Sequence, residues 1–233
     1  MLTVLIASFA PALALLMFLY LKDELDPEPV TLVAKGFFFG MLLVFPVSFL
    51  QFGMSQELYF SGVLMQSFIQ VALVEEFFKW FTVMLFIFHH VEFNSRYDGI
   101  VYASSVSLGF ASLENLFYLS FYGIEIAIYR ALFPVTVHAL VGVLMGYYFG
   151  MAKFSPNKRK SLLSLALLIP VLFHGLYHVT LSNQTVVLTA MVPLMVALWA
   201  IALQKIKQAN QDSLSDYLKD TSDSLYSSSH RHN

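Results

Sequence analysis

Seven apolar segments, each near the ~20 residues a membrane-spanning helix requires, lie at roughly 2–21, 36–53, 62–88, 99–121, 131–151, 162–181 and 185–203. Short loops join them. This succession predicts an all-α fold, a polytopic membrane bundle of about seven transmembrane helices. Hydrophobic residues make up 58% of the 233 and charged residues 12%; globular domains carry roughly 45–50% and about 25%. A soluble chain of this length buries one core and cannot hide so much apolar surface. No basic cluster with interleaved aromatics points to nucleic acid. Cys is absent, which excludes a disulfide framework, a thiolate nucleophile and a thiolate metal site. Residues 2–21 contain Ala12-Leu13-Ala14, loosely like a cleavage site, but no positive n-region precedes them. The segment therefore reads as a retained first span.

Lys and Arg set the expected orientation. Lys22 and Lys35, Arg96, the group Lys153, Lys158, Arg159 and Lys160, and finally Lys205 and Lys207 fall in alternate connections. The intervening loops, 54–61, 122–130 and 182–184, hold only Arg130. Positive charge collects on the cytoplasmic side, so the N-terminus is expected outside and the C-terminus inside. Residues 1–207 form the expected membrane domain. Residues 208–233 are polar, rich in Ser and Asp, and read as a disordered cytoplasmic tail. His230-Arg231-His232 at its end is read as part of that tail.

Between Val63 and Phe88 the only charges are Glu75, Glu76 and Lys79. A charge at bilayer depth costs on the order of 3 kcal/mol, so ionisable groups there ask for a function. Glu114, His138, His174 and His178 also sit in apolar segments. At ~1.5 Å rise per residue, Glu75 and Glu76 fall near the midplane, with Glu114, His138 and His174 roughly 10–13 Å from the outer surface. Four helices thus place an ionisable group in one layer. Lys79 lies i,i+4 from Glu75 and i,i+3 from Glu76, within reach of either. His138, Gly142, Gly146 and Gly150 share a face that admits a neighbouring helix closely. His174 and His178 are i,i+4, a spacing that two metal-binding imidazoles can use, though common by chance. Pro170, one turn before His174, is a candidate kink. Phe110 and Glu114 share a face, with Asn115 beside them.

Glu75-Glu76-Phe77-Phe78-Lys79-Trp80, Phe110 with Glu114-Asn115, His138, and His174-Gly175 follow one another on successive spans. That order resembles the PrsW family of intramembrane proteases, over nearly the whole chain to about residue 207. Lys22-Asp23, Asp26, Glu28-Pro29 and Tyr97-Asp98-Gly99-Ile100 belong to the same resemblance. The family is distantly similar to the CAAX-protease and bacteriocin-processing superfamily, whose first motif ends in Arg. Here the basic residue is Lys79, and Glu114 stands where that superfamily usually has His.

The resemblance implies a bacterial cell-membrane protease that makes the site-1 cut in a single-pass anti-sigma factor, outside the cytoplasm. Release of the sigma factor in envelope stress would follow. One of Glu75 and Glu76 would act as general base on water, and Glu114 would orient the water or serve as acid. His138 and His174 would stabilise the oxyanion or, with Glu114, hold a divalent metal such as zinc. Lys79, Asn115 and the other glutamate would support them. Two other classes fit buried charges: an ion-coupled transporter and a non-catalytic membrane binding protein. A protease alone consumes its substrate without a gradient.

Overall fold

The computed structural model describes residues 1–23, 25, 27–57, 62–182 and 187–229. Asp26 of the first loop, residues 58–61 and 183–184 of the outer loops, and His230-Arg231-His232 lie outside the described residues. Every regular element among those described is helical. In lipid each backbone polar group must be satisfied within its own segment, and long apolar runs do this as helices. The helices are α1 (Leu2–Tyr20), α2 (Val30–Glu57), α3 (63–86), α4 (Asp98–Tyr122), α5 (Ile124–Lys153), α6 (Arg159–Ser182) and α7 (Val187–Ser229). Six of them are long and apolar enough to cross a membrane on their own. The other, α3, is composite: a first turn Val63–Met65, a π-helical stretch Gln66–Leu73, then Val74–Phe86. It is the segment that carries Glu75, Glu76 and Lys79. Helix α6 continues through Pro170.

Two helices form the interior. Every residue of α4 from Asp98 to Ser112 is buried, and α5 is buried along most of Thr136–Lys153. The glycine face of α5 meets α4: a Cβ on Gly146 would overlap the Gly99 carbonyl, and one on Gly142 would crowd Ser107. Backbone thus touches backbone, as small residues allow in membrane bundles. The outer helices turn Leu2, Ile6, Leu13, Met17, Phe38, Phe45 and Phe49 outward. On a membrane protein that is the expected lipid-facing surface.

The basic loops gather at one end. Lys153 Nζ donates to the carbonyls of Phe88 (2.7 Å) and His90 (3.4 Å). Tyr97 Oη donates to the Leu19 carbonyl at 2.8 Å. Residues 208–229, read from sequence as a tail, continue α7 as helix. Their first turns are anchored: Arg96 Nε donates to Asp216 at 2.7 Å, Asn210 Nδ2 to the Lys22 carbonyl at 2.9 Å, and the Tyr97 amide to Ser213 Oγ at 3.2 Å. Polar residues here pair with loop backbone rather than fill a core, so no apolar periodicity announces the packing.

Candidate active site

The site forms where α3, α4, α5 and α6 meet. The π-helical stretch immediately before Glu75 changes the angular register of α3, a feature often found at functional sites. Both glutamates and Lys79 lie in the α-helical part that follows and are buried, at 4%, 0% and 0% exposure. Gly175 lets α6 come close, since a Cβ there would overlap the Phe68 ring. His174 on α6 thereby reaches the glutamates. His138 is carried on the face of α5 that packs against α4, and Ser107 Oγ donates to its carbonyl at 2.7 Å.

Glu76 is the hub. Its Oε1 lies 2.8 Å from Lys79 Nζ and 2.7 Å from His174 Nδ1. Lys79 Nζ is also 2.9 Å from His138 Nδ1, 3.7 Å from Glu75 Oε2 and 4.5 Å from the centre of the Phe110 ring. Glu75 Oε1 accepts from Gln51 Nε2 of α2 at 3.2 Å, while its Oε2 faces His174 Nε2 at 3.9 Å. The hydrogen-bond network assigns the tautomers. His174 donates from Nδ1 to Glu76, so its Nε2 carries a lone pair. His138 accepts from Lys79 at Nδ1, so its proton sits on Nε2, which is 3.5 Å from Glu114 Oε2.

The chain matches the model of the PrsW family intramembrane metalloproteases over residues 28–202. It is 51% identical to Protease PrsW of Oceanobacillus iheyensis, over 92% of this chain and 99% of that protein. It is 46% identical to Protease PrsW of Bacillus subtilis, over 90% and 96% respectively. The chain belongs to the PrsW family. It is a multi-pass membrane peptidase, as the sequence resemblance implies. No solved structure matches it.

The donor set of this PrsW family member suits a metal ion. Glu75, Glu76, His138 and His174 are all buried and each offers a donor atom within 4.8 Å of the others. Glu75 Oε2 and Glu76 Oε2 are buried without a hydrogen-bond partner among the described residues. Two such oxygens beside His174 Nε2, which here takes a hydrogen bond from His178, present the mixed N/O ligands that zinc accepts. Glu76 orients His174 as a carboxylate commonly orients a metal-binding imidazole. Glu114, which the sequence reading grouped with the two histidines, lies outside this foursome and next to His138.

Two residues at the site escaped the sequence reading. Arg130 of α5 is buried, its Nη2 donating to Glu114 Oε2 at 2.9 Å and its Nε to Asn115 Oδ1 at 2.7 Å. Its guanidinium lies 3.8 Å from the Tyr118 ring centre. Asn115 in turn donates to the Ser8 carbonyl of α1 at 3.3 Å. The available signal is that Arg130 is the lone basic residue of the loops expected outside. Gln51 left no comparable mark, because one amide near a span's end is ordinary. His178 Nε2 sits 3.1 Å from His174 Nε2. Arg130→Met would leave Glu114 without its guanidinium. Breaking a buried pair costs about 3 kcal/mol, so unfolding should become easier by that order, with part of the loss recovered by adding Glu114→Gln. Denaturant unfolding in detergent measures both, and an unchanged midpoint for Arg130→Met would show that the pair does not hold the site.

Above this constellation a cavity of about 420 Å³ is lined by Glu114, His138, His174 and His178 on its polar side, with Tyr118, Tyr129 and Tyr177 among its aromatic walls. The glutamates Glu75 and Glu76 stand behind the two imidazoles.

Proposed function

We propose that this chain hydrolyses a peptide bond in a single-pass anti-sigma factor, at the extracytoplasmic edge of a bacterial cell membrane. The carrying observation is the row Glu76–His174–Glu75, one carboxylate fixing the imidazole at Nδ1 and the other facing its Nε2 at 3.9 Å. Once the His178 bond to His174 Nε2 is released, one water making ordinary hydrogen bonds of ~2.8 Å can touch both Glu75 Oε2 and that nitrogen. Glu75 is the general base: its Oε1 is held by Gln51 and its Oε2 makes no hydrogen bond among the described residues. It takes the water's proton as oxygen attacks the carbonyl carbon, then passes that proton to the departing amine. Glu76 and Lys79 keep His174 and His138 in place, while Glu114, clamped by Arg130, orients His138.

A catalytic zinc keeps three protein ligands and one open position, so Glu76, His174 and His138 would hold it and leave Glu75 free, His138 giving the ion the Nδ1 lone pair that here takes the bond from Lys79. Bound there, the ion would acidify water and polarise the carbonyl.

The cavity is lined by Tyr122, Ile126, Tyr129 and Leu181 at its rim, beside loops that lack the clustered Lys and Arg of the opposite end. The positive-inside rule makes that side extracytoplasmic, with the N-terminus outside. A peptide bond inside a spanning helix is shielded by its own hydrogen bonds, so a segment already extended near the membrane surface is the fitting substrate. The test is reconstitution with a single-pass anti-sigma factor in sealed proteoliposomes without any gradient. Cleavage on the extracytoplasmic side, lost on chelation and restored by zinc, is expected. An intact substrate, or turnover only under an imposed gradient, would sink the reading.

A further inference from the structure

We propose that Tyr177 is a catalytic residue, its hydroxyl donating a hydrogen bond to the scissile carbonyl oxygen as that oxygen becomes negative. This rests on the hydrolytic reading above and adds the donor that reading lacks. Tyr177 is 2% exposed, and its hydroxyl is buried without a hydrogen-bond partner among the described residues. Leaving a buried polar group unpaired costs about 1–3 kcal/mol. Phe would fill the same volume without that cost, so the hydroxyl needs another reason to be present. Its location supplies one. Tyr177 lies one helical turn after His174, with ring centres 6.5 Å apart, and lines the same cavity as Glu114, His138 and His174.

The other cavity tyrosines differ. Tyr118 stacks on Tyr122 and carries the Arg130 guanidinium on its face, and Tyr129 packs against Phe133. Tyr118, Tyr122 and Tyr129 are at least 40% exposed. Their hydroxyls can reach water or lipid headgroups; the Tyr177 hydroxyl is buried, with Tyr129 as its polar neighbour, on a residue that lines the cavity.

In the proposed step the water oxygen bonds to the carbonyl carbon and the π pair moves onto the carbonyl oxygen. Glu75 holds the proton removed from the water. The phenol keeps its own proton throughout and shares it only as a hydrogen bond, which strengthens as the oxygen charges. When the tetrahedral species collapses, the carbonyl re-forms, the C–N bond breaks and the amine takes the proton from Glu75. A preorganised donor in a water-poor site acts on the transition state more than on the ground state.

The test is Tyr177→Phe in proteoliposomes with the single-pass anti-sigma factor. Loss of one oxyanion donor lowers kcat by about 10²–10³-fold, and KM should stay within about twofold because the ring and the cavity shape remain. The unfolding midpoint should hold or rise, since the unpaired hydroxyl is gone. A Tyr177→Phe protein with kcat within about threefold of wild type overturns the proposal. So does a loss of activity matched by a lowered midpoint, which would make Tyr177 a packing residue. Glu75→Gln run alongside separates the two readings. If Glu75→Gln is inactive and Tyr177→Phe is normal, only the tyrosine fails; if Glu75→Gln cleaves normally, the hydrolytic reading fails with it.

Discussion

Glu75→Gln should reduce cleavage by about 10²–10⁴-fold, the usual contribution of a positioned general base, while the protein accumulates normally. The amide keeps the volume of the carboxylate, and its oxygen can still accept from Gln51, the partner now 3.2 Å away. What it cannot do is take a proton from water. Glu76→Gln should be as inactive for a different reason and should also fold less stably. Glu76 is fully buried and is the nearest carboxylate to Lys79, at 2.8 Å, with Glu75 at 3.7 Å. Removing one partner of a buried pair costs about 3–5 kcal/mol, whereas replacing both with neutral groups is often tolerated. Adding Lys79→Met to Glu76→Gln should therefore recover much of the stability and none of the activity. Substrate cleavage and detergent unfolding, measured on the same preparations, separate the two roles. If both glutamine variants cleave near normally, neither carboxylate is the base.

The parts of this architecture legible in the sequence are those governed by a strong local rule. Lipid forbids unsatisfied backbone, so seven apolar runs appear as helices almost where hydropathy put them. Charges inside such runs are costly enough that Glu75, Glu76, Lys79, Glu114, His138 and His174 stand out in the sequence. The place of His138 follows from α4 and α5 sharing a glycine-lined contact, and that face too is visible in the spacing of Gly142, Gly146 and Gly150.

Other features depend on geometry that no periodicity encodes. An ideal helix puts Glu75 and Glu76 about 100° apart, which by itself aims the two carboxylates in different directions. Both instead face inward, after a π-helical stretch whose residues, Gln66–Leu73, look like any apolar run. Arg130 seemed a loop residue because its outer position fits the charge pattern; only the folded chain shows it clamping Glu114 and Asn115. The segment after residue 207 looked solvated for the same reason. Asn210, Ser213 and Asp216 use their polarity to grip the loops at the basic end, and polar docking leaves no hydrophobic signature.

His174→Ala should abolish cleavage, while His178→Ala should lower it by less than about tenfold. The two residues are one turn apart on α6, and spacing alone does not rank them. Their partners do. His174 is 1% exposed, donates to Glu76 at 2.7 Å and faces Glu75 at 3.9 Å. It is the bridge between the two carboxylates, and no rearrangement of neighbours restores it. Truncation to Ala would also remove the hydrogen bond that Glu76 Oε1 accepts beside the one from Lys79. His178 is only partly buried, and its ring makes one hydrogen bond, to His174 Nε2 at 3.1 Å. That bond covers the lone pair that a water or metal would need. Removing it opens the nitrogen without disturbing the link from Nδ1 to Glu76, so the cost should be confined to cavity shape. Metal content gives an independent reading, because His174→Ala should lose zinc on purification and His178→Ala should retain it. Equal losses of metal and activity in the two variants would make the pair a joint ligand set. Greater loss in His178→Ala would mean that the Glu76–His174–Glu75 row does not organise the chemistry.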